Sequence, residues 1–153
     1  MALESEGTTR RQRWMSVMAK ADDKALLSAW SAHGPSVEFV HLRKPEAGLV
    51  MTQGKISGTG APFNLGELSV TRCSVRLDDD RVGHAYVSGR SKEKAEAAAI
   101  IDALMQGAEH DELETAIIAP LEAAMATRRA EEGRKAAATK VEFFTMARSA
   151  AVK

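Results

Sequence analysis

A glycine-rich segment followed by a strand pattern is the feature that most constrains the fold of this chain. Residues 58–66 hold three glycines, one proline and one asparagine, and the residues after them alternate between apolar and polar. Glycine loses more backbone entropy on folding than other residues, so it is kept where a turn needs positive φ or where a ligand or another backbone comes close. Arg72 follows on the predicted strand, and a glycine-rich loop beside a fixed cation can hold a phosphate. An irregular connection between two strands is the simpler explanation from this segment alone.

Composition indicates one domain with a lean core. The chain has 153 residues, of which 44% are hydrophobic but only 5% are aromatic. Much of the apolar content is alanine, which buries little area per residue, and this favours an obligate partner. Basic and acidic residues number 21 each, so the formal charge is zero. A strongly basic surface for nucleic acid is therefore excluded.

The number of cysteines and the distribution of apolar residues indicate the cellular compartment in which the protein works. Cys73 is the single cysteine, so an intramolecular disulfide is excluded and a reducing compartment is favoured. The N-terminus lacks the apolar stretch of a signal peptide, and no apolar run reaches membrane-spanning length. We therefore expect a cytoplasmic protein. The spacing of the four histidines matches no metal site, so we expect no bound metal.

The alternation of apolar residues predicts an α+β fold with a small antiparallel four-stranded sheet. Turn residues separate the predicted strands, which cover 37–42, 49–56, 68–77 and 82–87. Helical spacing predicts N-terminal helices before the sheet and a long C-terminal helical segment after it. We expect residues 1–153 to form a single domain, with residues 1–8 disordered. The tail over 141–153 carries Phe143, Phe144 and Met146, which we expect to bind a partner.

The turn between the last two predicted strands decides which side chains meet on the polar face. A two- or four-residue turn places His84 opposite Val75. A three-residue turn over 78–80 places His84 opposite Ser74 and Tyr86 opposite Arg72, and it keeps the apolar residues on the other face. We prefer the second register, in which Asp80 takes the left-handed conformation that aspartate tolerates.

This register predicts an anion-binding site, with Arg72 as its cation and His84 as a weak candidate for acid–base catalysis. A solvated arginine on an exposed face is the equal alternative. The remaining predicted contacts to the anion come from the same face and from the glycine-rich segment. They are Ser74, Tyr86, Gly58, Gly60 and Asn64.

Four segments resemble the PhnG family of carbon–phosphorus lyase core subunits. They lie in order along nearly the whole chain and read RQRWMSVMAKA (11–21), GTGAPFNLGELSVTRC (58–73), GHAY with GR (83–86 and 89–90) and ATKVEFFTM (138–146). The central segment is long and chemically unusual, which makes chance agreement improbable.

The resemblance implies a transferase subunit in phosphonate catabolism. Members of the family work with the subunits PhnI, PhnH and PhnJ and with the ATP-binding-cassette protein PhnL. Their complex forms alpha-D-ribose 1-methylphosphonate 5-triphosphate from ATP and methylphosphonate, with release of adenine. ATP is thus expected as a substrate of the complex, with no cofactor bound by this chain alone. Two roles stay open: a purely structural partner of PhnI, or a subunit that adds substrate-binding residues to a shared site.

Deletion of residues 141–153 should abolish co-purification with PhnI, because the apolar side chains of this tail need cover that the lean core does not supply. The measurement is affinity capture of PhnI by the full-length and the truncated chain. Capture of PhnI at full yield by the truncated chain would show that the tail is dispensable for assembly.

Overall fold

The computed structural model describes residues 2–55 and 60–139, with the side chains of 2–8 left out. The elements are α1 (Ala2–Lys20), α2 (Asp23–His33), β1 (Phe39–Gly54), β2 (Phe63–Leu77), β3 (Val82–Ser88), α3 (Lys92–Leu104), α4 (His110–Leu113) and α5 (Ala119–Ala138). A π-helical turn, Glu114–Ile118, separates α4 from α5. By its contacts the chain divides into two compact units, Met1–Glu122 and Ala123–Lys153. Helix α1 begins at Ala2, within the residues 1–8 that we expected to be disordered. The disorder of these residues stays a prediction.

The prediction of four strands is wrong, because the described residues form three antiparallel strands in the order β1-β2-β3. The first two predicted strands are one 16-residue strand, β1, which continues through Pro45 and Gly48. Shifts in the pairing of β1 with β2 between His41 and Arg43, and between Arg43 and Glu46, absorb the predicted turn. Proline is tolerated here because β1 is an edge strand with bulges.

The glycine-rich segment is also shorter than predicted, because β2 begins at Phe63. Asn64 therefore lies within the strand and pairs with Gln53 of β1. Residues 56–59 lie outside the described part of the chain. A further irregularity of pairing, between Thr52 and Gln53, leaves Leu65 of β2 without an opposite residue on β1.

The predicted three-residue turn between β2 and β3 is confirmed. Ser74 pairs with His84, and Arg72 pairs with Tyr86. Asp80 has φ 64°, the left-handed conformation that closes such a turn. The Leu77 N–H donates to the Arg81 carbonyl at 3.0 Å, and the Asp80 N–H donates to the Leu77 carbonyl at 3.1 Å.

One face of the sheet, the inner face, packs against α3. This face holds four of the buried side chains of β2, namely Thr71, Cys73, Val75 and Leu77. Helix α3 begins at its N-cap Ser91, whose Oγ accepts from the Lys94 N–H at 3.1 Å. Its buried surface is rich in alanine, which lets the helix lie close to the strands.

A buried carboxylate joins α1, β3 and α3. Asp102 is fully buried, and its oxygens accept from Arg11 Nε at 3.1 Å and Arg11 Nη2 at 2.7 Å. Trp14 Nε1 donates at 2.9 Å, and the backbone N–H of His84 donates at 2.8 Å. A buried charge needs such partners, so this cluster fixes the position of α1 relative to the sheet.

A buried lysine ties the corner between α1 and α2 to α3. Lys94 is 1% exposed, and its Nζ donates to the Ala21 carbonyl at 2.6 Å. The same Nζ forms an ion pair with Asp23 at 2.9 Å. A cation at the C-terminal end of a helix interacts favourably with the helix dipole, so Lys94 stabilises the end of α1.

Replacing Gly83 with alanine should destabilise the fold. A Cβ at this position would overlap the Ala99 carbonyl oxygen of α3, whereas a Cβ at Gly48 would meet nothing. Overpacking of this kind costs about 1–3 kcal/mol. Denaturant titration should therefore show a lower free energy of unfolding for Gly83→Ala and little change for the matched control Gly48→Ala. Equal stability of the two variants would contradict the close approach of α3 to β3.

Candidate anion-binding face

The outer face of the sheet, opposite α3, brings together four of the predicted site residues. Arg72 and Ser74 of β2 lie beside Tyr86 and His84 of β3, because each pair is in direct cross-strand register. Opposite residues on one face of an antiparallel pair have Cβ atoms about 5 Å apart. The side chains of Arg72 and Tyr86 are about half exposed, so this face can be reached by a ligand.

Ser74 and His84 are joined by a hydrogen bond. Ser74 Oγ lies 2.9 Å from His84 Nδ1, and the donor depends on the tautomer of the imidazole. The backbone of His84 is held from the other side by Asp102, which accepts its N–H. The imidazole therefore extends from a strand position that the buried cluster fixes.

Arg72 has an acidic neighbour that the sequence prediction missed. Its Nε donates to Glu46 Oε1 at 2.8 Å, and the same oxygen accepts from Arg43 Nη1. The hydrogen bond from Arg43 lowers the pKa of Glu46, and the charge of Arg72 lowers it further. Two guanidinium groups thus share one carboxylate, which leaves one net positive charge at this point of the face.

The glycine-rich segment is not brought next to Arg72. Asn64 lies eight positions before Arg72 on the same strand, a separation of about 26 Å along an extended strand. The side-chain oxygen of Asn64 accepts from Gln53 Nε2 at 3.2 Å. Gly60 is part of a bend, and Gly58 lies outside the described residues. Anion binding by these three residues stays a prediction.

Comparison of the whole chain with known proteins gives the same family as the resemblance of its central segment, residues 58–73. Residues 9–149 match the family described as phosphonate metabolism protein PhnG. The chain is also 44% identical over 148 residues to the alpha-D-ribose 1-methylphosphonate 5-triphosphate synthase subunit PhnG of Rhizobium meliloti (strain 1021), which covers 95% of this chain and 93% of that protein. The chain belongs to the PhnG family.

In this PhnG-family chain, one of the segments that carry the resemblance has a structural role. Arg11 and Trp14, from the segment 11–21, both donate to the buried Asp102. Sequence reasoning missed Asp102 and Lys94, although each is a charged residue within the apolar pattern of α3. A lone charge in a buried helix face is the signal that could have identified them.

The remaining predictions for this family member concern metal, membrane and partner. Among residues 2–55 and 60–139, no three His, Cys, Asp or Glu side chains come together as a metal site. In the same part of the chain, no helix is long and apolar enough to span a membrane. Phe143, Phe144 and Met146 lie outside the described residues, so their binding to a partner stays a prediction.

Cys73 lies on the inner face and is unsuited to nucleophilic chemistry at neutral pH. The thiol is buried, and its Sγ lies 3.4 Å from the Arg43 carbonyl oxygen. Burial raises the pKa of Cys73 to about 11 from its ordinary value of 9.0, and the charge of Glu96 adds to the shift. The thiolate, which is the reactive form, is therefore scarce in the folded chain.

This raised pKa predicts a loss of stability in alkali. Between about pH 9 and pH 11 the unfolded chain has lost the Cys73 proton and the folded chain has kept it. The unfolded state then binds fewer protons, so the free energy of unfolding falls as pH rises through this window. Denaturant titrations from pH 8 to pH 11 should show a steeper fall for the wild type than for Cys73→Ala. Parallel pH profiles would contradict the buried, protonated thiol.

Proposed function

We propose that this chain is a subunit of an alpha-D-ribose 1-methylphosphonate 5-triphosphate synthase in the cytoplasm. The support is its membership of the PhnG family and its 44% identity, over nearly all of both chains, to a protein with that name. In the reaction, a phosphonate oxygen bonds to C1 of the ribose of ATP, the bond from that carbon to adenine breaks, and adenine leaves. ATP is then a substrate of the complex, and PhnI, PhnH, PhnJ and PhnL are the expected partners.

Within that complex, we propose that the outer face supplies half of a shared anion site. The observation that carries this role is the register, which sets Arg72 beside Tyr86 and Ser74 beside His84 on one exposed face. The guanidinium of Arg72 can position a phosphonate or phosphate oxygen by two parallel hydrogen bonds. The side chains of Arg72 and Tyr86 are about half exposed, which leaves room for a neighbouring subunit to complete the site.

His84 is the residue of this face that can hand a proton to a leaving group. Displacement of adenine needs a protonated leaving group and a positioned nucleophile. The hydrogen bond to Ser74 occupies Nδ1, which directs Nε2 as the nitrogen for proton transfer to the departing base. PhnI can equally supply the groups that catalyse the displacement of adenine, with His84 limited to binding.

A purely structural role as a partner of PhnI is the second candidate. The observation that favours it is a set of exposed apolar side chains on β1 and β2, among them Leu49, Met51 and Leu65. An exposed apolar patch on a small subunit marks a contact with another protein.

Substitution of Arg72 separates the two roles. Arg72→Lys keeps the charge and loses the planar fork, and Arg72→Ala loses both. A charge-assisted hydrogen bond contributes about 1.5–3 kcal/mol, so adenine release by the reconstituted complex with methylphosphonate should fall roughly tenfold or more. The loss should be larger for Arg72→Ala.

Arg76 provides the matched control, because it lies on the same strand and face with a similarly exposed side chain. Arg76→Lys and Arg76→Ala should release adenine at nearly the wild-type rate. Wild-type rates in both Arg72 variants would favour the structural role. Failure of either Arg72 variant to assemble would make Arg72 an interface residue and remove the anion site.

A further inference from the structure

The strands β1 and β2 continue beyond the third strand as a two-stranded ribbon. Strand β3 pairs with β2 only from Val70 to Arg76. The Gly89 N–H then donates to the Ser69 carbonyl at 2.9 Å. Apart from this bond to Ser69, residues 49–54 of β1 and 63–69 of β2 pair only with each other, and we call this part the β-ribbon. An isolated two-stranded ribbon is marginally stable in water, so it calls for a further contact.

On the β-ribbon the inner face of the sheet continues past its helical cover, with apolar side chains on β1. Register is unbroken from Ala47, opposite Thr71, to Thr52, so Leu49 and Met51 have the same orientation as the buried Thr71. Yet Leu49 is 55% exposed and Met51 is 54% exposed. The hydrogen bond from α3 to β1 is made further back, between Glu96 and His41. On this face of the ribbon, Leu49 and Met51 are open to solvent opposite Ser69 and Glu67 of β2, whereas the same face next to α3 is buried.

The two edge strands of the sheet, β3 and β1, differ in whether their outer backbone groups are hydrogen-bonded. On the edge of β3, the Val82 carbonyl accepts from Gln106 Nε2, and the His84 N–H donates to Asp102. On β1, the side-chain bonds of Thr52 and Gln53 both go to β2, and in the described part of the chain nothing bonds to the outer edge of residues 47–54. These eight residues include no charge and no proline, the devices that keep an exposed edge from pairing.

We propose that the β-ribbon is the docking edge for another subunit of the synthase, which adds an extended strand along β1 and covers Leu49 and Met51. This inference rests on the proposed function, because a synthase subunit has sister subunits to supply that strand. Strand addition suits the edge, since backbone hydrogen bonds give affinity and alternate side chains give specificity. A charged edge would reject such a partner, whereas residues 47–54 carry no charge.

The test replaces the exposed apolar side chains of Leu49 and Met51 and keeps the strand. The double variant Leu49→Thr/Met51→Thr retains β-branched side chains that favour a strand. Leu42→Thr is the matched control, because Leu42 is a 52% exposed leucine on the same strand, within the three-stranded part of the sheet. Each full-length chain is co-expressed with the other subunits, and the yield of captured complex is measured. Thermal melting of each isolated chain checks that it is folded.

Wild type and Leu42→Thr should capture the other subunits equally, and the double variant at least tenfold less. Backbone amides of residues 47–54 should exchange hydrogen at least tenfold more slowly in the wild-type complex than in the isolated chain. Full capture by the folded double variant, or unchanged exchange, would overturn the docking edge and leave the proposed function intact.

Two further results would also decide against the proposal. A dimer of the isolated wild-type chain that dissociates in the double variant, seen by light scattering after size exclusion, would assign the edge to a second copy of this chain. A wild-type chain that captures none of the other subunits would overturn the proposed function, and the docking edge would fall with it.

Discussion

The carboxylate of Asp102 is the interaction on which the rest of the structure depends. It lies fully buried on α3, yet all of its hydrogen-bond partners come from elsewhere: Arg11 and Trp14 on α1, and the backbone of His84 on β3. A buried charge without partners costs several kcal/mol, so the three elements are constrained to meet around it. The lean, alanine-rich core supplies much of the burial, and the carboxylate supplies the specificity of the arrangement.

The division of labour between the two faces of the sheet follows from this constraint. The part of the inner face that lies against α3 is buried by packing, and Cys73 is part of this core. The outer face presents the side chains of Arg72, Ser74, His84 and Tyr86. Glu46 accepts hydrogen bonds from both Arg43 and Arg72, so its carboxylate neutralises one of their two positive charges. A face with one surplus positive charge suits a ligand whose remaining charge is neutralised by a second protein.

Sequence reasoning could predict what local chemistry dictates. The polarity of residues 71–77 and 82–87 determined the register, and with it the four residues of the outer face. It failed where tertiary context overrides turn propensity, since Pro45 and Gly48 lie inside one bulged edge strand. It also missed Glu46, because a residue taken for a turn has no assigned face. The partners of Asp102 could not be predicted, because Arg11 lies 91 residues away and helical or strand periodicity relates only near neighbours in sequence.

The closure of the N-terminal helix on α3 has a consequence for the order of folding. The bonds of Arg11 to Asp102 and of Lys94 to Ala21 join residues 91 and 73 positions apart. Helix α1 is synthesised before the sheet, and its docking partners on α3 follow only after the whole sheet. Contacts this distant in sequence form late because loop closure costs entropy before any contact compensates for it. The growing chain therefore carries an undocked α1 until α3 has been synthesised, and Asp102 near the end of α3 then anchors the helix.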